Sequence, residues 1–357
     1  MLEAGHLGRR SLVGCILLSA ALGTVHAWSL FIEPLEGRLD VGRGAVSAVY
    51  SVALVAITVV VLVGHRAFGH LPGRIVALVA TGGAVAGLLL AARATDWWTL
   101  LVGYGVVFGA ANGLGYAFAL QRSAEANPSA TGRALALVTA AYALGAALAA
   151  ILLDGPITGH GPAHGLRFLA LVVGVAGTTA TLLIGGERST ASVDRAAVPT
   201  GWSAVRGLWT AYGLAVLAGL MVLGHAAAMV DEAGGPGGVT VVAAGLASAA
   251  GGAWMAPMGV KARRRLVVAL PTASMAALMV AGLVPSAGGG AVTLAMVGVV
   301  ALAYGAVIAV YPAVIHDRFG ADGYPSAYGR MFTAWGAAGL VGPVGAGLLF
   351  EGAGTYR

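Results

Sequence analysis

Two histidines, His26 and His225, lie inside apolar stretches of the chain, 199 positions apart. An imidazole titrates near neutrality, with an ordinary pKa of about 6.5, so such a group can take up and release a proton or hold a carboxylate while protonated. An ionisable group among apolar residues is costly to keep, which makes each histidine a candidate for function. The alternative is a neutral ring donating to a backbone carbonyl in a packed interface. Asn112 and Tyr116 are four residues apart and share one face if that stretch is helical, offering an amide and a hydroxyl to a solute or to a neighbouring helix. Other chemistry finds no support. The single cysteine, Cys15, excludes an internal disulfide and a thiolate cage. No His/Asp/Glu cluster has metal-ligand spacing, no Gly-x-x-x-x-Gly-Lys phosphate loop occurs, and no Ser-His-Asp set can be assembled. The chain is therefore not expected to be an enzyme, and no cofactor or metal is expected.

These residues must be positioned by membrane-spanning helices. Of 357 residues, 59% are hydrophobic and 10% charged, with a mean hydropathy of +0.88, whereas a soluble domain carries about 25% charged residues. The 57 glycines fit helices that pack backbone to backbone. A span needs roughly 20 apolar residues, and eleven are predicted, at about 11–34, 44–64, 75–94, 97–121, 132–153, 166–184, 206–230, 238–258, 266–284, 290–314 and 329–350. Arg9-Arg10 followed by an apolar run and Val25-His26-Ala27 mimics a secretory signal, but cleavage there would remove a segment that has a counterpart in the second half, so the first span is expected to be retained. Trp97, Trp98 and Trp202 sit at span ends and read as an interfacial belt.

Orientation follows from charge. With the N-terminus cytoplasmic, 15 of the 20 basic residues fall in cytoplasmic segments, which fixes the topology by the positive-inside rule. The net charge of +6 is then a topology signal and not a nucleic-acid footprint. The Arg, Ala and Gly bias fits a GC-rich bacterial genome and hence a multi-pass protein of the bacterial cytoplasmic membrane.

The second half repeats the first. The stretch from Gly132-Arg133 to Gly155 aligns without a gap on Gly329-Arg330 to Gly352, and Pro128-Ser129-Ala130 precedes Pro325-Ser326-Ala327 by 197 residues. A duplicated six-helix unit is the architecture of the major facilitator fold. The expected organisation is an N-terminal six-helix bundle over 1–186, a cytoplasmic linker over 187–205 and a C-terminal bundle over 206–357. The second bundle has five helices, because the repeat projects a twelfth span past Arg357. Arg133 and Arg330, equivalent by the repeat, open spans 5 and 11 and are read as snorkelling or clamping an inner gate.

Span 1 and its continuation read Gly23-Thr-Val-His26-Ala-Trp28-Ser-Leu-Phe31-Ile-Glu-Pro34-Leu35. This resembles the oxalate/formate antiporter and monocarboxylate-porter branch of the major facilitator superfamily, whose first helix carries Gly-x-x-Tyr-x-Trp-Ser-x-Phe-x-x-Pro-Leu. The Gly-rich run from Gly103 to Tyr116 agrees, as do Tyr304-Gly305, Tyr311-Pro312, Tyr328-Gly329 and Phe332-Thr333-Ala334. The resemblance implies that spans 1, 4, 7 and 10 line a central cavity, that His26 and His225 face each other across it, and that Tyr304 offers a hydroxyl to substrate. The departures are informative. Trp335 stands where the oxalate exchangers carry a lysine, and span 8 has no basic residue, so both cations that would balance a dianion are missing. Trp335 becomes an apolar wall, a stacking platform or a packed aromatic. The loop between spans 2 and 3 keeps only His70, Gly73 and Arg74 of the superfamily's pattern, leaving Arg74 as its gating residue.

The resulting expectation is a secondary transporter working by alternating access. Its partners are the lipid bilayer, a small organic solute and a proton, the solute being a monocarboxylate or other organic anion, with no nucleic acid and a monomeric chain. Export of a neutral or amphipathic compound is the alternative within transport. A non-transporting sensor or complex partner is the alternative outside it.

Overall fold

The computed structural model describes residues 2–68, 70–186, 201–283 and 289–355, and no β-strand occurs among them. Most of the predicted linker, 187–200, lies outside the described residues. The helices are α1 (Leu2–Gly23), α2 (Ile32–Leu39), α3 (Arg43–Phe68), α4 (Gly73–Ala92), α5 (Trp97–Leu100), α6 (Gly109–Ala126), α7 (Thr131–His160), α8 (Pro162–Leu183), α9 (Trp202–Leu223), α10 (Ala226–Glu232), α11 (Gly237–Met255), α12 (Val260–Leu283) and α13 (Gly290–Ala353). Ten helical stretches among the described residues are long and apolar enough to cross a membrane. The remaining predicted span, 266–284, coincides with α12, whose first turns carry Lys261, Arg263, Arg264 and Arg265.

Several spans are not the continuous helices that their hydropathy predicts, and two of the breaks fall at the candidate histidines. Span 1 tightens after Gly23 into a 3₁₀ segment, Thr24–Leu30, which carries His26. Span 4 passes after α5 through π-helical turns over Leu101–Phe108, a rare geometry found frequently at functional sites. Span 7 breaks after Leu223, leaving His225 at the cap of α10. The predicted loop from His316 to Tyr328 is a sharp break between two spans, Gly290–Gly320 and Ser326–Ala353, which are written together as α13; the break falls at Gly320, whose φ of 68° is open to glycine.

Lipid tails are as apolar as leucine, so no hydrophobic force drives these helices together, and close backbone packing does. Gly105, Gly109 and Gly113 lie over Val49, Ala53 and Ile57 of α3, with a repeat of four on both helices. On the other side of 187–200, Gly251 and Gly305 bring α11 and α13 together: a methyl group on Gly305 would stand 1.8 Å from the Ser248 carbonyl oxygen. Gly23 meets the Tyr142 carbonyl in the same way. Leucine and valine side chains such as Val268, Leu171 and Leu182 point outward and are more than 60% exposed, as lipid-facing residues are. Helices from before and after the linker meet chiefly as α3 on α13 and α11 on α7.

Candidate functional site

Where these helices converge, a cavity opens between the two sides. It is lined from the N-terminal side by His26, Ile57, Tyr116 and Tyr142 and from the C-terminal side by Ser248, Tyr304, Phe332 and Trp335, among others, and none of its lining residues is Asp, Glu, Lys or Arg. Its free volume is about 40 Å³, room for about three waters.

His26 is the centre of the site. The 3₁₀ segment turns its ring into the cavity, and its Nδ1 lies 2.6 Å from the Tyr50 hydroxyl of α3. Four rings surround it at centroid distances of 5.5 to 6.4 Å, namely Tyr50, Tyr142, Tyr304 and Trp335, each close to perpendicular to the imidazole. Edge-to-face contacts of this kind hold a ring in one orientation. The Tyr50 ring lies parallel to Trp28, which packs on Tyr104, so the hydroxyl that meets His26 is itself fixed from behind.

The C-terminal wall is built by α13. The Trp335 indole N–H donates to the Tyr304 hydroxyl at 2.9 Å, and the indole stacks on Phe332 at 4.9 Å. Gly219 of α9 leaves the space that the Tyr304 ring fills, since a methyl group there would stand 2.2 Å from the ring. Two wall hydroxyls, Tyr116 and Ser248, are buried; Ser248 makes no hydrogen bond, and Tyr116 faces the Tyr328 hydroxyl. They are the polar groups available to a solute, because Thr139 is already bonded to its own helix.

Not every expected residue reaches the cavity. His225 is fully buried but does not line it; its Nε2 lies 3.0 Å from the Pro343 carbonyl oxygen in α13. The two imidazoles therefore do not face each other, because the break after Leu223 turns His225 toward α13. Asn112 stands one layer back. Its amide donates to the Leu22 carbonyl at 2.6 Å and accepts from the Tyr142 hydroxyl at 2.8 Å, so it holds a wall residue in place. Tyr116 does line the cavity, one turn further along the same helix.

The three expected gating arginines do not bridge the two sides. Arg74 donates to the Ile184 carbonyl at 3.2 Å, Arg133 is exposed, and Arg330 bonds to Ser326 in its own turn. Contacts between the sides come from residues that the sequence did not single out. At the arginine-rich end the guanidinium of Arg263, paired with Asp317 of its own side at 3.1 Å, reaches across to cover Gly132. Above it Tyr324, Tyr328, Phe332 and Trp335 of the C-terminal side form a continuous aromatic column that meets Tyr116 of the other side at Phe332. At the opposite end Glu351 accepts the Gly44 N–H at 2.6 Å, and Arg43, paired with Glu36, lies over the Phe350 ring. A vestibule of about 390 Å³ opens beside this contact, bordered by Ser29, Glu33, Asp231 and Glu232. The chain at Leu223–Ala228 borders both spaces, so the wall between vestibule and cavity is about one helical turn thick.

Trp98 and Trp202 are exposed, as a belt requires, while Trp97 is half-buried and donates to the Ala45 carbonyl. Among the described residues no three His, Cys, Asp or Glu side chains come together as metal ligands.

A family model described as Major Facilitator Superfamily matches residues 7–343. No curated protein matches the chain. Among solved structures it is similar to the crystal structure of the human organic anion transporter MFSD10 (TETRAN), at 17% identity and a TM-score of 0.69, over 97% of this chain and 95% of that one. Identity that low speaks to a common fold.

Proposed function

The chain belongs to the major facilitator superfamily, and on that premise we propose that it carries a small organic monoanion, a monocarboxylate above all, together with a proton across the cytoplasmic membrane of a bacterium. The observation that carries this reading is the cavity without a fixed charge whose one imidazole, His26, is held by Tyr50 and ringed by aromatic side chains. An anion alone would be expensive in such a cavity, and a monoanion with a proton is neutral as a pair. A dianion would leave one charge uncompensated. The likeness to an organic anion transporter agrees with the class of solute. In this scheme His26 holds the proton, Tyr116 and Ser248 bond the solute, Tyr304 and Trp335 wall it in, and the halves 1–186 and 206–357 rock about the site, opening it to each side in turn. The glycine-lined crossings let the helices slide without large side chains interlocking. No bond of the solute is made or broken.

A second reading, export of a neutral or amphipathic compound, draws on the aromatic and aliphatic lining. One experiment separates them: uptake of labelled acetate, lactate and formate into proteoliposomes with and without an inward proton gradient, for wild type, His26→Asn and His225→Asn. Gradient-driven uptake that is lost in His26→Asn and kept in His225→Asn is the expected result. No uptake of any acid by folded wild type overturns the monocarboxylate reading.

A further inference from the structure

At the arginine-rich end a second space, separate from the central cavity, lies between α9, α12 and α13. It encloses about 350 Å³ and is lined by Leu208, Val267 and Val314 together with Arg264 and Arg318. Both arginines are exposed, and no acidic side chain lines the space. The nearest carboxylate in sequence, Asp317, is engaged by Arg263. Arg206, Lys261 and Arg265, at the same helix ends, are also exposed, so the surroundings are cationic.

Two observations put the cleft at the level where lipid headgroups meet acyl chains. Trp202, 56% exposed, precedes Leu208 by six residues on α9, which sets Leu208 about 9 Å deeper along that helix. Trp residues of this kind mark the membrane interface. Val268, next to the lining residue Val267, is 71% exposed, so this turn of α12 faces the hydrocarbon. An apolar floor beneath two guanidiniums matches one amphipathic ligand class.

We propose that this cleft binds an anionic phospholipid, with its phosphate between Arg264 and Arg318 and an acyl chain along Leu208, Val267 and Val314. A phosphodiester is the geometry that guanidinium groups recognise best, through paired N–H donors. The lipid would tie α9, α12 and α13 together. The proposal is independent of what the central cavity carries.

The test is native mass spectrometry of the purified full chain with equimolar phosphatidylglycerol and phosphatidylcholine of identical acyl chains. Wild type should retain phosphatidylglycerol in preference, by about fivefold per arginine engaged, and Arg264→Gln/Arg318→Gln should bring the two lipids to parity. Arg9→Gln/Arg10→Gln, which removes two exposed charges elsewhere, should keep the preference. Leu208→Trp leaves both charges and fills the floor, so it should lower retention as well; thermal melts confirm that each variant is folded. Parity in wild type, an equal loss in the Arg9/Arg10 variant, or displacement of the lipid by inorganic phosphate alone overturns the proposal, the last outcome identifying a site for free anions.

Discussion

Gly298 and Gly305 sit on one helix, α13, two turns apart, and the fold predicts opposite fates for them on replacement by alanine. Either change removes a glycine from a helix interior, which by itself favours the helix by about 1 kcal/mol. At Gly298 nothing lies within 4 Å of the new methyl group, so that gain stands alone. At Gly305 the methyl would meet the Ser248 carbonyl oxygen at 1.8 Å, its carbon at 2.5 Å and the Ser248 Cα at 2.7 Å. Ordinary contact is about 3.5 Å, so α11 and α13 must part by roughly 1.5 Å, and because all three atoms are backbone no rotamer change relieves the clash. Overpacking of this kind costs about 1–3 kcal/mol or more, and because the helix gain is common to both variants that cost is the difference between them. At a few degrees per kcal/mol, their melting temperatures should differ by about 2–12 °C, with Gly305→Ala the lower and Gly298→Ala at or above wild type. Tryptophan fluorescence during a thermal ramp in one detergent measures this. Ser248 and Gly305 both line the cavity, so Gly305→Ala should also lose transport. A Gly305→Ala protein that melts with or above Gly298→Ala would refute the close backbone crossing.

Three further outcomes are expected. Asn112→Leu deprives the Leu22 carbonyl and the Tyr142 hydroxyl of their partner and should lower the melting temperature by several degrees, at about 1–3 kcal/mol per buried group left unpaired; a melt unchanged from wild type would remove Asn112 from its bridging role. With Cys15 buried, Ser29→Cys supplies an addressable thiol in the vestibule, and breaking the nearby contact with Arg43→Gln/Glu351→Ala should speed its reaction with an impermeant maleimide added outside, whereas an unchanged rate would mean that the contact does not hold that end closed. Asp96 caps α5, and the Thr99 hydroxyl and N–H that donate to it hold its carboxyl below the ordinary value; its contribution to stability is therefore present above the ordinary carboxylate range and lost as pH falls through the lowered value, so wild type should outlast Asp96→Asn at neutral pH and lose that margin in acid.

The fold was legible because its two signals are carried by the chain itself. Hydropathy marks the spans, and the repeat from Gly132 to Gly155 and Gly329 to Gly352 marks their duplication. The site was legible in part. His26, Tyr116, Tyr304 and Trp335 border the cavity, and each was visible as a polar or aromatic group inside a span. Tyr50 and Tyr142 were missed, since a tyrosine in an apolar run gives no sign of which neighbour its hydroxyl will meet. Ser248 was missed for the same reason, in a span rich in small residues. His225 was misplaced because one break in the helix, at Gly224, turns its ring by an amount that no periodicity encodes. The contacts at the two ends, Arg263 with Asp317 and Glu351 with Gly44, join residues 54 and 307 positions apart and depend on how spans cross.

Asn112 ties α6 to α1 and α7 through one amide, and on the other side the Tyr304–Trp335 bond joins the two spans of α13 that precede and follow Gly320, with the Tyr304 ring seated on Gly219 of α9. Both walls are thus braced across helices. A substitution at Asn112, Tyr304 or Trp335 disturbs several helices at once, whereas aliphatic lining residues such as Val241 and Ile308 carry no polar brace. Drift in what such a carrier accepts, over its descent or in a directed-evolution experiment, has its easier route through those aliphatic positions, with the braced aromatic residues held constant.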